Sequence, residues 1–287
     1  MTPTVDDPQA YGLTRVGGRP PLLEYLRGVA QRKDFIVSLA KFRIEAENQR
    51  QRLGMLWIVL KPILNAAVFG IVFGILMAST KNVPDFVPFL IIGVFMFEFF
   101  SACMGSGSKS ITSNQALVQS LAFPRMSLPI SVVVQKFLQL LPTVLLLFVF
   151  LLILGHRPTL SWLLMVPLLA LYFLFCLGVA FITARLTVHL PDLANLLPFI
   201  TRFFFYTTGI FFSFDIRFEG STALLEAVQY QPMYAFLSLS RELLLDSDPL
   251  YDVRMQFWPI IAVWSIALVI VGTIFFWAAE ERYGRVD

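Results

Sequence analysis

Charge is scarce in this sequence, and the scarcity limits what the protein can be. Only 14% of its 287 residues are Asp, Glu, Lys or Arg, whereas 57% are hydrophobic. Soluble domains carry about 25% charged residues, so this composition predicts an integral membrane protein. The net charge of +3 is too small to indicate a nucleic-acid partner.

Cysteine and histidine are also rare. The two cysteines, Cys103 and Cys176, fall inside long apolar runs, where we expect small core residues that say nothing about redox compartment. The two histidines, His156 and His189, are predicted at opposite membrane faces and cannot share a metal. Since no Ser, Cys or His constellation suggests nucleophilic catalysis, we predict no metal site and no enzyme.

The chain contains six long apolar stretches. Each comes close to the roughly 20 residues that a helix needs to cross a hydrocarbon core of about 30 Å. The stretches cover residues 55–77, 87–104, 131–154, 162–184, 196–214 and 257–279. We therefore predict an all-α integral membrane protein with six transmembrane helices.

Lys and Arg are unevenly distributed between the segments that join these stretches. With the N-terminus inside, 17 of the 22 basic residues fall on inner segments and their flanks, and five fall on outer ones. Basic residues favour the cytoplasmic side of a membrane, so both termini are predicted to be cytoplasmic. The first stretch follows a long charged segment and is not expected to be a cleaved signal peptide.

The segment before the first stretch has two parts. Residues 1–33 are expected to be a flexible cytoplasmic tail, because the first 20 are rich in Pro and Gly and poor in apolar residues. From Asp34, a plausible N-cap, apolar residues recur at helical spacing, while Lys41, Glu45 and Arg50 take the other face. This pattern predicts an amphipathic helix in the cytoplasmic interface, or one packed on the ends of other spans.

A short helix is predicted in the inner segment between Gly105 and Ile130. Its apolar run covers residues 116–123, and Pro124 and Pro129 stop any longer helix. A short helix held between two spans on the cytoplasmic side is a good rigid lever for another protein to push.

Two short helical patterns occupy the outer segment, at residues 224–230 and 233–245, with Pro232 preset for the start of the second. They are too apolar for a solvated loop and too interrupted for a span. We interpret them as re-entrant or interfacial helices, which lipid tolerates where they pack on protein.

Two motifs resemble known nucleotide-binding or metal-binding motifs but lack the sequence context that those motifs require. The run from Gly105 to Ser110 is similar to a P-loop, yet no glycine precedes Lys109 and no strand leads into it. Asp246 and Asp248 have the spacing of a glycosyltransferase metal pair, but they lie on the outer side beside a proline. A membrane glycosyltransferase therefore stays only as the enzyme alternative.

Glu98 is predicted near mid-depth of the second stretch. A charge there costs at least about 2.5 kcal/mol, so the carboxylate indicates a site. A structural or pore-facing role, which includes pairing with Arg202, is favoured over proton coupling. Gly70 and Gly74 form a GxxxG motif in the first stretch, which predicts close helix packing.

Aromatic residues are the main clue to the substrate. Phenylalanine is abundant, with 29 residues, and it crowds the second and fifth stretches. The faces of aromatic rings attract polarised C–H edges. A pore lined with them could grip sugar rings weakly and let a polymer slide, although core or lipid-facing packing is the alternative for any one residue. We predict a channel lining of Phe97, Glu98, Phe100, Phe203, Tyr206 and Phe211.

Several motifs, in order along the chain, resemble the polysaccharide-exporting branch of the ABC-2 type permeases. They are RLGMLW at 52–57 with Lys61-Pro62, VFG at 68–70 with Phe73-Gly74, Gly93 with FEFF at 97–100, and SITSNQAL at 110–117 with FPR at 123–125. The resemblance covers about residues 34–283. Departures include Phe97, where relatives tend to have Trp, and Gln231-Pro232 in place of the usual Asn-Pro.

The resemblance implies two copies of this chain and two separate ATPase subunits. The complex would export a lipid-linked polysaccharide of the O-antigen, teichoic acid or galactan type across the bacterial cytoplasmic membrane. ATP and Mg²⁺ would bind the partner, and this chain would hold no cofactor.

The same resemblance implies which residues receive the motion of the ATPase. They are Asn114, Gln115, Leu117, Gln119, Leu121, Phe123, Pro124 and Arg125. The alternatives are a small-molecule or drug ABC-2 exporter and a proton-coupled secondary transporter that uses Glu98 as its ion site.

Overall fold

The computed structural model describes residues 20–49, 52–72, 85–120, 123–212, 214, 228–245 and 257–283. Every regular element within these residues is helical, which confirms the predicted all-α class. The helices pack against one another in a bundle.

Four helices in the described part are long and apolar enough to cross a membrane. They are α4 (Phe86–Ser108), α6 (Ser127–Ile153), α7 (Met165–His189) and α10 (Phe257–Trp277). They correspond to the second, third, fourth and sixth predicted stretches. A 3₁₀ turn at Leu160–Leu164 leads directly into α7.

The first and fifth predicted stretches hold shorter helices. α3 covers Trp57–Ile71 after a 3₁₀ turn at Gly54–Leu56, and α8 covers Leu193–Thr207. α8 is followed by a turn in which Gly209 has φ +71°, a conformation that glycine adopts without steric cost. Residues 196–214 are therefore not one continuous helix, and the six-span count stays a prediction at these two stretches.

Four further α-helices lie in the described part. They are α1 (Leu22–Gln31), α2 (Lys33–Gln49), α5 (Gln115–Ser120) and α9 (Pro232–Leu244). The structure corrects the expected flexible tail 1–33 in its second half, because α1 is helical and buries Tyr25 and Val29. Pro20, one of the residues behind that prediction, and Pro21 both precede α1, where proline does not interrupt helical hydrogen bonds. α2 begins at Lys33, so Asp34 lies in its first turn and not at its N-cap.

α4 is the central helix of the bundle and is largely buried. Tyr172 of α7 donates a hydrogen bond to the carbonyl oxygen of Met96 at 2.7 Å, and its ring meets that of Phe99 edge-on at 5.3 Å. α9 packs into the same core, where Phe236 lies 4.6 Å from Tyr172 between ring centroids. α9 is therefore a buried helix that packs on protein. Residues 224–227 of the first predicted outer helix lie outside the described part.

α7 and α10 pack backbone to backbone at two glycines. A Cβ atom on Gly178 would lie 2.4 Å from the carbonyl carbon of Leu268, and one on Gly272 would lie 2.7 Å from the carbonyl oxygen of Gly178. This close approach uses small residues that form no GxxxG motif. Gly70 lies in α3 and Gly74 lies outside the described residues, so the packing role predicted for that pair stays a prediction.

A second hydrophobic core lies at one end of the bundle. We call this end the basal end and the cluster the basal core. It joins α1, the start of α6 and the ends of α7 and α10. Its buried apolar side chains are Tyr25, Val29, Ile36, Ile111, Val118, Met126, Leu128, Phe181, Ala184, Phe276, Ala279 and Tyr283. The opposite end is called apical below.

The glycine contact generates a prediction. Gly178→Ala is expected to lower the free energy of unfolding by about 1–3 kcal/mol, because the added methyl group meets the backbone of α10. Thermal unfolding of the purified protein in detergent measures the effect. Gly105→Ala is the matched control, since nothing lies within 4 Å of its Cβ position. Equal stability of the two variants would contradict the prediction.

Candidate functional site

The segment between α4 and α6, residues 109–126, is called the basal loop. It forms a 3₁₀ turn at Thr112–Asn114 and then α5, which is shorter than the predicted helix of 116–123. Val118 of α5 is buried in the basal core and Leu117 is half-buried. One face of the helix is exposed and carries Gln115, Ala116, Gln119 and Ser120. Leu121 lies outside the described residues.

The polar residues that lead into α5 close the end of α4. Ser113 donates its hydroxyl to the carbonyl oxygen of Lys109 at 2.6 Å, and the Asn114 amide donates to that of Ser110 at 2.7 Å. Side chains of this kind satisfy carbonyl groups that a helix end leaves unpaired. Gly105 to Ser108, the start of the P-loop-like run, are the last turn of α4 and form no loop.

The far end of the basal loop is fixed to other elements. The ring of Phe123 meets Phe35 of α2 edge-on at 5.7 Å, and Arg125 lies 3.9 Å from the carboxylate of Glu280. Burial raises the pKa of Glu280, while the backbone N–H of Arg125, the Tyr25 hydroxyl and the charge of Arg125 favour its ionised form. α5 is therefore an exposed helix on a firmly packed base.

α2 packs along the basal part of α6. This agrees with the prediction that the helix packs on the ends of other spans. The carboxylate of Glu47 accepts hydrogen bonds from Gln135 at 2.8 Å, Lys136 at 3.1 Å and Gln139 at 3.0 Å. Burial opposes the ionisation of Glu47, but these hydrogen bonds and the charge of Lys136 outweigh it and lower its pKa. Arg43 donates to Ser131 at 3.2 Å further along the contact.

Glu98 lies between two open cavities. The first, of about 370 Å³, lies between α2, α3, α4 and α6, and Lys61 and Lys136 line it. The second, of about 680 Å³, lies between α3, α4 and α8; we call it the α8-side cavity. Asn65 of α3 hydrogen-bonds to Glu98, and Lys61 acts on it electrostatically. Arg202 lines the α8-side cavity too, but the described side chains of Glu98 and Arg202 form no ion pair.

The α8-side cavity combines cations, hydroxyl groups and aromatic rings. Lys109 and Arg202 supply the positive charge, and Glu98 is the one carboxylate among the described residues that line it. The hydroxyl groups come from Ser101, Ser106, Ser108, Thr201 and Tyr206. Such a lining suits a ligand that carries both an anionic group and polar hydroxyls.

The predicted aromatic lining separates into two sets. Phe203 and Tyr206 of α8 are 65% and 57% exposed, and Tyr206 stacks on Phe211 with centroids 6.0 Å apart. Phe97 and Phe100 are only 3% and 4% exposed. Phe97 reaches the edge of the α8-side cavity.

Phe100 lies inside the core of this subunit, and its predicted place in a channel lining does not fit the structure. Its ring packs against Phe175 at 6.0 Å and Phe204 at 6.2 Å. The clustering of aromatics was visible in the sequence, but α4 is covered on nearly every side, so its periodicity gave no sign of which face would be open.

Arg241 is a key residue that the sequence analysis missed. The charge pattern predicts Arg241 among the five basic residues of the outer segments, yet it is 1% exposed. Its guanidinium donates to the carbonyl oxygens of Phe89 at 3.1 Å, Gly209 at 3.0 Å and Ile210 at 3.2 Å, and it lies 3.5 Å from the ring centroid of Phe89. It thus ties α9 to the start of α4 and to the turn after α8. A lone Arg within the apolar pattern of 233–245 was the available signal.

Other sequence-level candidates contribute little to the site. Cys103 and Cys176 are free and buried, as expected of core residues. Asp246 and Asp248 lie outside the described residues.

These features define a multi-helix membrane protein with an exposed basal helix and a polar cavity beside a charged residue in its central helix. Residues 37–244 match the ABC-2 type transporter family, and the chain belongs to that family. The family implies a membrane subunit that works with an ATPase subunit. The resemblance drawn from the motifs is confirmed.

Three relatives match nearly the whole chain. Two proteins of Klebsiella pneumoniae, each named O-antigen export system permease protein RfbA, are 26% and 25% identical over 254 residues, which is 88% of this chain and 95% of theirs. A protein of the same name from Myxococcus xanthus is 25% identical over 268 residues, or 91% of this chain and 96% of its own length.

The contact between α2 and α6 generates a pH-dependent prediction. Because the pKa of Glu47 is lowered by folding, its ionised form stabilises the folded protein above about pH 4.3, the ordinary pKa of glutamate, and this contribution is lost as pH falls through the folded-state pKa. Glu47→Gln is therefore expected to lower the melting temperature at neutral pH and to approach the wild type in acid.

Thermal melts of both proteins between pH 7 and pH 3.5 measure this convergence. Glu45→Gln, an exposed carboxylate on the same helix, is the control and is expected to follow the wild type closely at every pH. A Glu47→Gln deficit that stays constant through acid pH would contradict the assignment.

Proposed function

We propose that this chain is the permease subunit of an ABC transporter that exports a lipid-linked polysaccharide across the cytoplasmic membrane. The relatives, from two organisms, are named O-antigen export permeases and match along almost their full length. The observation that carries the proposal is the exposed face of α5 on a buried base, since a transporter driven by a separate ATPase needs such a surface to receive movement.

The proposed complex contains two copies of this chain and two ATPase subunits, with both termini on the cytoplasmic side. ATP and Mg²⁺ bind the ATPase. The exposed face of α5 lies at the basal end, so the basal end is the cytoplasmic one in this proposal. That orientation agrees with the bias of Lys and Arg toward inner segments.

α3 and α8 of each copy line the export path in the proposed dimer. Leu64 and Val68 of α3 and Phe199, Phe203 and Tyr206 of α8 are exposed in the single chain. Aromatic faces on this path contact the C–H faces of sugar rings weakly, so no single sugar unit is held fast while a polymer slides. The α8-side cavity opens beside the same helix.

The anionic linkage between polymer and lipid carrier is proposed to enter at the α8-side cavity. Lys109 and Arg202 line this cavity and are exposed, and guanidinium and ammonium groups bind phosphate through charge-assisted hydrogen bonds. α9 is proposed to help close the apical exit at rest. Its Arg241 holds the turn that follows α8, so α8 and α9 move together.

A crosslinking experiment tests the partner contact. Gln119→Cys, on the exposed face of α5, is expected to crosslink to an ATPase subunit that carries a cysteine in its facing cleft. The native cysteines are both buried, so background reaction is low. Arg157→Cys is the control, because Arg157 is exposed in the connection after α6 at the apical end.

The expected result is crosslinking at residue 119 and none at residue 157. If cysteines at Gln115, Ala116 and Gln119 all fail to crosslink in a complex shown to be assembled, α5 is not the docking helix. Crosslinking at residue 157 would reverse the proposed orientation of the bundle.

Glu98 separates the proposed function from proton-coupled transport. Glu98→Gln is expected to retain most export, because the amide preserves the shape of the side chain and can still hydrogen-bond to Asn65. Export of polymer to the cell surface is measured with an active and an inactivated ATPase, and with the proton gradient collapsed by an ionophore. Loss of export in Glu98→Gln, together with export that needs the gradient and not the ATPase, would falsify the ABC assignment.

A further inference from the structure

We propose that Glu280 and Tyr25 are positioning residues for transport, which join the basal loop to the paired helices α7 and α10. Movement imposed on α5 then enters the bundle through these two side chains as well as through the chain connection to α6. The inference rests on the proposed function for the source of that movement.

Glu280 lies in the 3₁₀ turn just after α10 and bonds directly to the end of the basal loop. Its carboxylate oxygen Oε1 accepts a hydrogen bond from the backbone N–H of Arg125 at 3.0 Å, and its own carbonyl oxygen accepts one from the guanidinium of Arg125 at 2.5 Å. The guanidinium also lies 3.9 Å from the carboxylate. One side chain of the loop is thus bound to both the backbone and the side chain of Glu280.

Tyr25 of α1 completes the arrangement. Its hydroxyl donates to the other carboxylate oxygen of Glu280 at 2.7 Å and accepts the backbone N–H of Met126 at 3.1 Å. Arg125 and Met126 immediately precede α6, which starts at Ser127. Since the first N–H groups of a helical segment have no partner within the helix, Glu280 and Tyr25 hold the entry into α6 from two other helices.

Burial makes these contacts stiff. Tyr25 is 3% exposed and Glu280 is 6% exposed, so solvent water cannot replace a broken hydrogen bond. An unpaired buried carboxylate costs free energy. The loop cannot move away from Glu280 without leaving such a group unpaired. Displacement of the loop therefore displaces Glu280 with it.

Displacement of Glu280 reaches the rest of the bundle through α7. The backbones of α7 and α10 touch at Gly178 and Gly272. Nearer the basal end, Arg185 of α7 donates to the carbonyl oxygen of Phe275 and lies 3.8 Å from the centroid of its ring. The two helices are thus fixed to each other at two levels and move as one body.

The test uses the full complex with its ATPase in lipid membranes. Glu280→Gln and Tyr25→Phe are compared for complex assembly, ATP hydrolysis and the amount of polymer exported per ATP hydrolysed. Tyr283→Phe is the matched control, since its buried hydroxyl belongs to the same core but donates to Phe276 of α10, at 3.1 Å, and not to the basal loop. Glu281→Gln, at an exposed neighbouring position, controls for the loss of charge.

We expect Glu280→Gln and Tyr25→Phe to assemble and hydrolyse ATP while export per ATP falls about fivefold or more, the lower range for energetic coupling between sites. Both controls are expected to keep the wild-type ratio. A wild-type ratio in Tyr25→Phe and Glu280→Gln would overturn the inference, as would an equal loss in Tyr283→Phe, which would indicate a general effect on the core.

Tyr25→Phe removes one oxygen atom and keeps the ring, so it decides the question if Glu280→Gln does not accumulate. Failure of the proposed function has a different signature. In that case the wild-type complex itself neither exports polymer nor depends on its ATPase, whatever residues occupy positions 25 and 280.

Discussion

The backbone contact between α7 and α10 is the interaction on which the rest of the structure depends. At Gly178 a single methyl group would collide with the main chain of α10. Two residues further along α7, Ala180 makes a similarly close contact with α4, since a Cβ on Gly107 would lie 2.8 Å from that of Ala180. Small residues on two sides of α7 thus place it between α4 and α10. The aromatic core fills the space between the helices on the apical side of these small residues.

Polar side chains are few in the interior, and two of them, Arg241 and Glu280, fix junctions between elements. Arg241 joins α9, α4 and the turn after α8 near the apical end, while Glu280 joins α10, α1 and the basal loop at the other. Glu280 bonds to the backbone N–H of Arg125, outside the regular helices, and Arg241 bonds to the carbonyl oxygens of Gly209 and Ile210 in a turn as well as to that of Phe89 in α4. Unpaired backbone groups are costly in an apolar surrounding, which explains why irregular segments occur where a charged side chain satisfies them.

How far the sequence could predict the structure depended on whether a feature is local. The long apolar runs yielded α4, α6, α7 and α10 because span length and hydropathy are local properties. The helix at 22–31 was missed and is an exception, because Leu22, Tyr25, Leu26 and Val29 recur at helical spacing and a local signal was therefore present. Phe100 and Arg241 were misplaced for a non-local reason: which side of a helix is covered, and whether a cation finds carbonyl partners, are set by helices distant in sequence. The residues of the basal loop were located by resemblance, but not their contacts with Glu280.

Lys109 places the proposed substrate cavity and the proposed ATPase contact on one continuous piece of chain. Its side chain lines the α8-side cavity, and its carbonyl oxygen accepts the hydroxyl of Ser113 at the start of the turn into α5. The distance along the chain from the cavity wall to the exposed face of α5 is therefore only about two helical turns. A ligand that displaces Lys109 alters the base on which α5 rests, and by thermodynamic reciprocity a partner that moves α5 alters the cavity. In the proposed transporter, that arrangement would let substrate occupancy and the ATPase act on the same short segment.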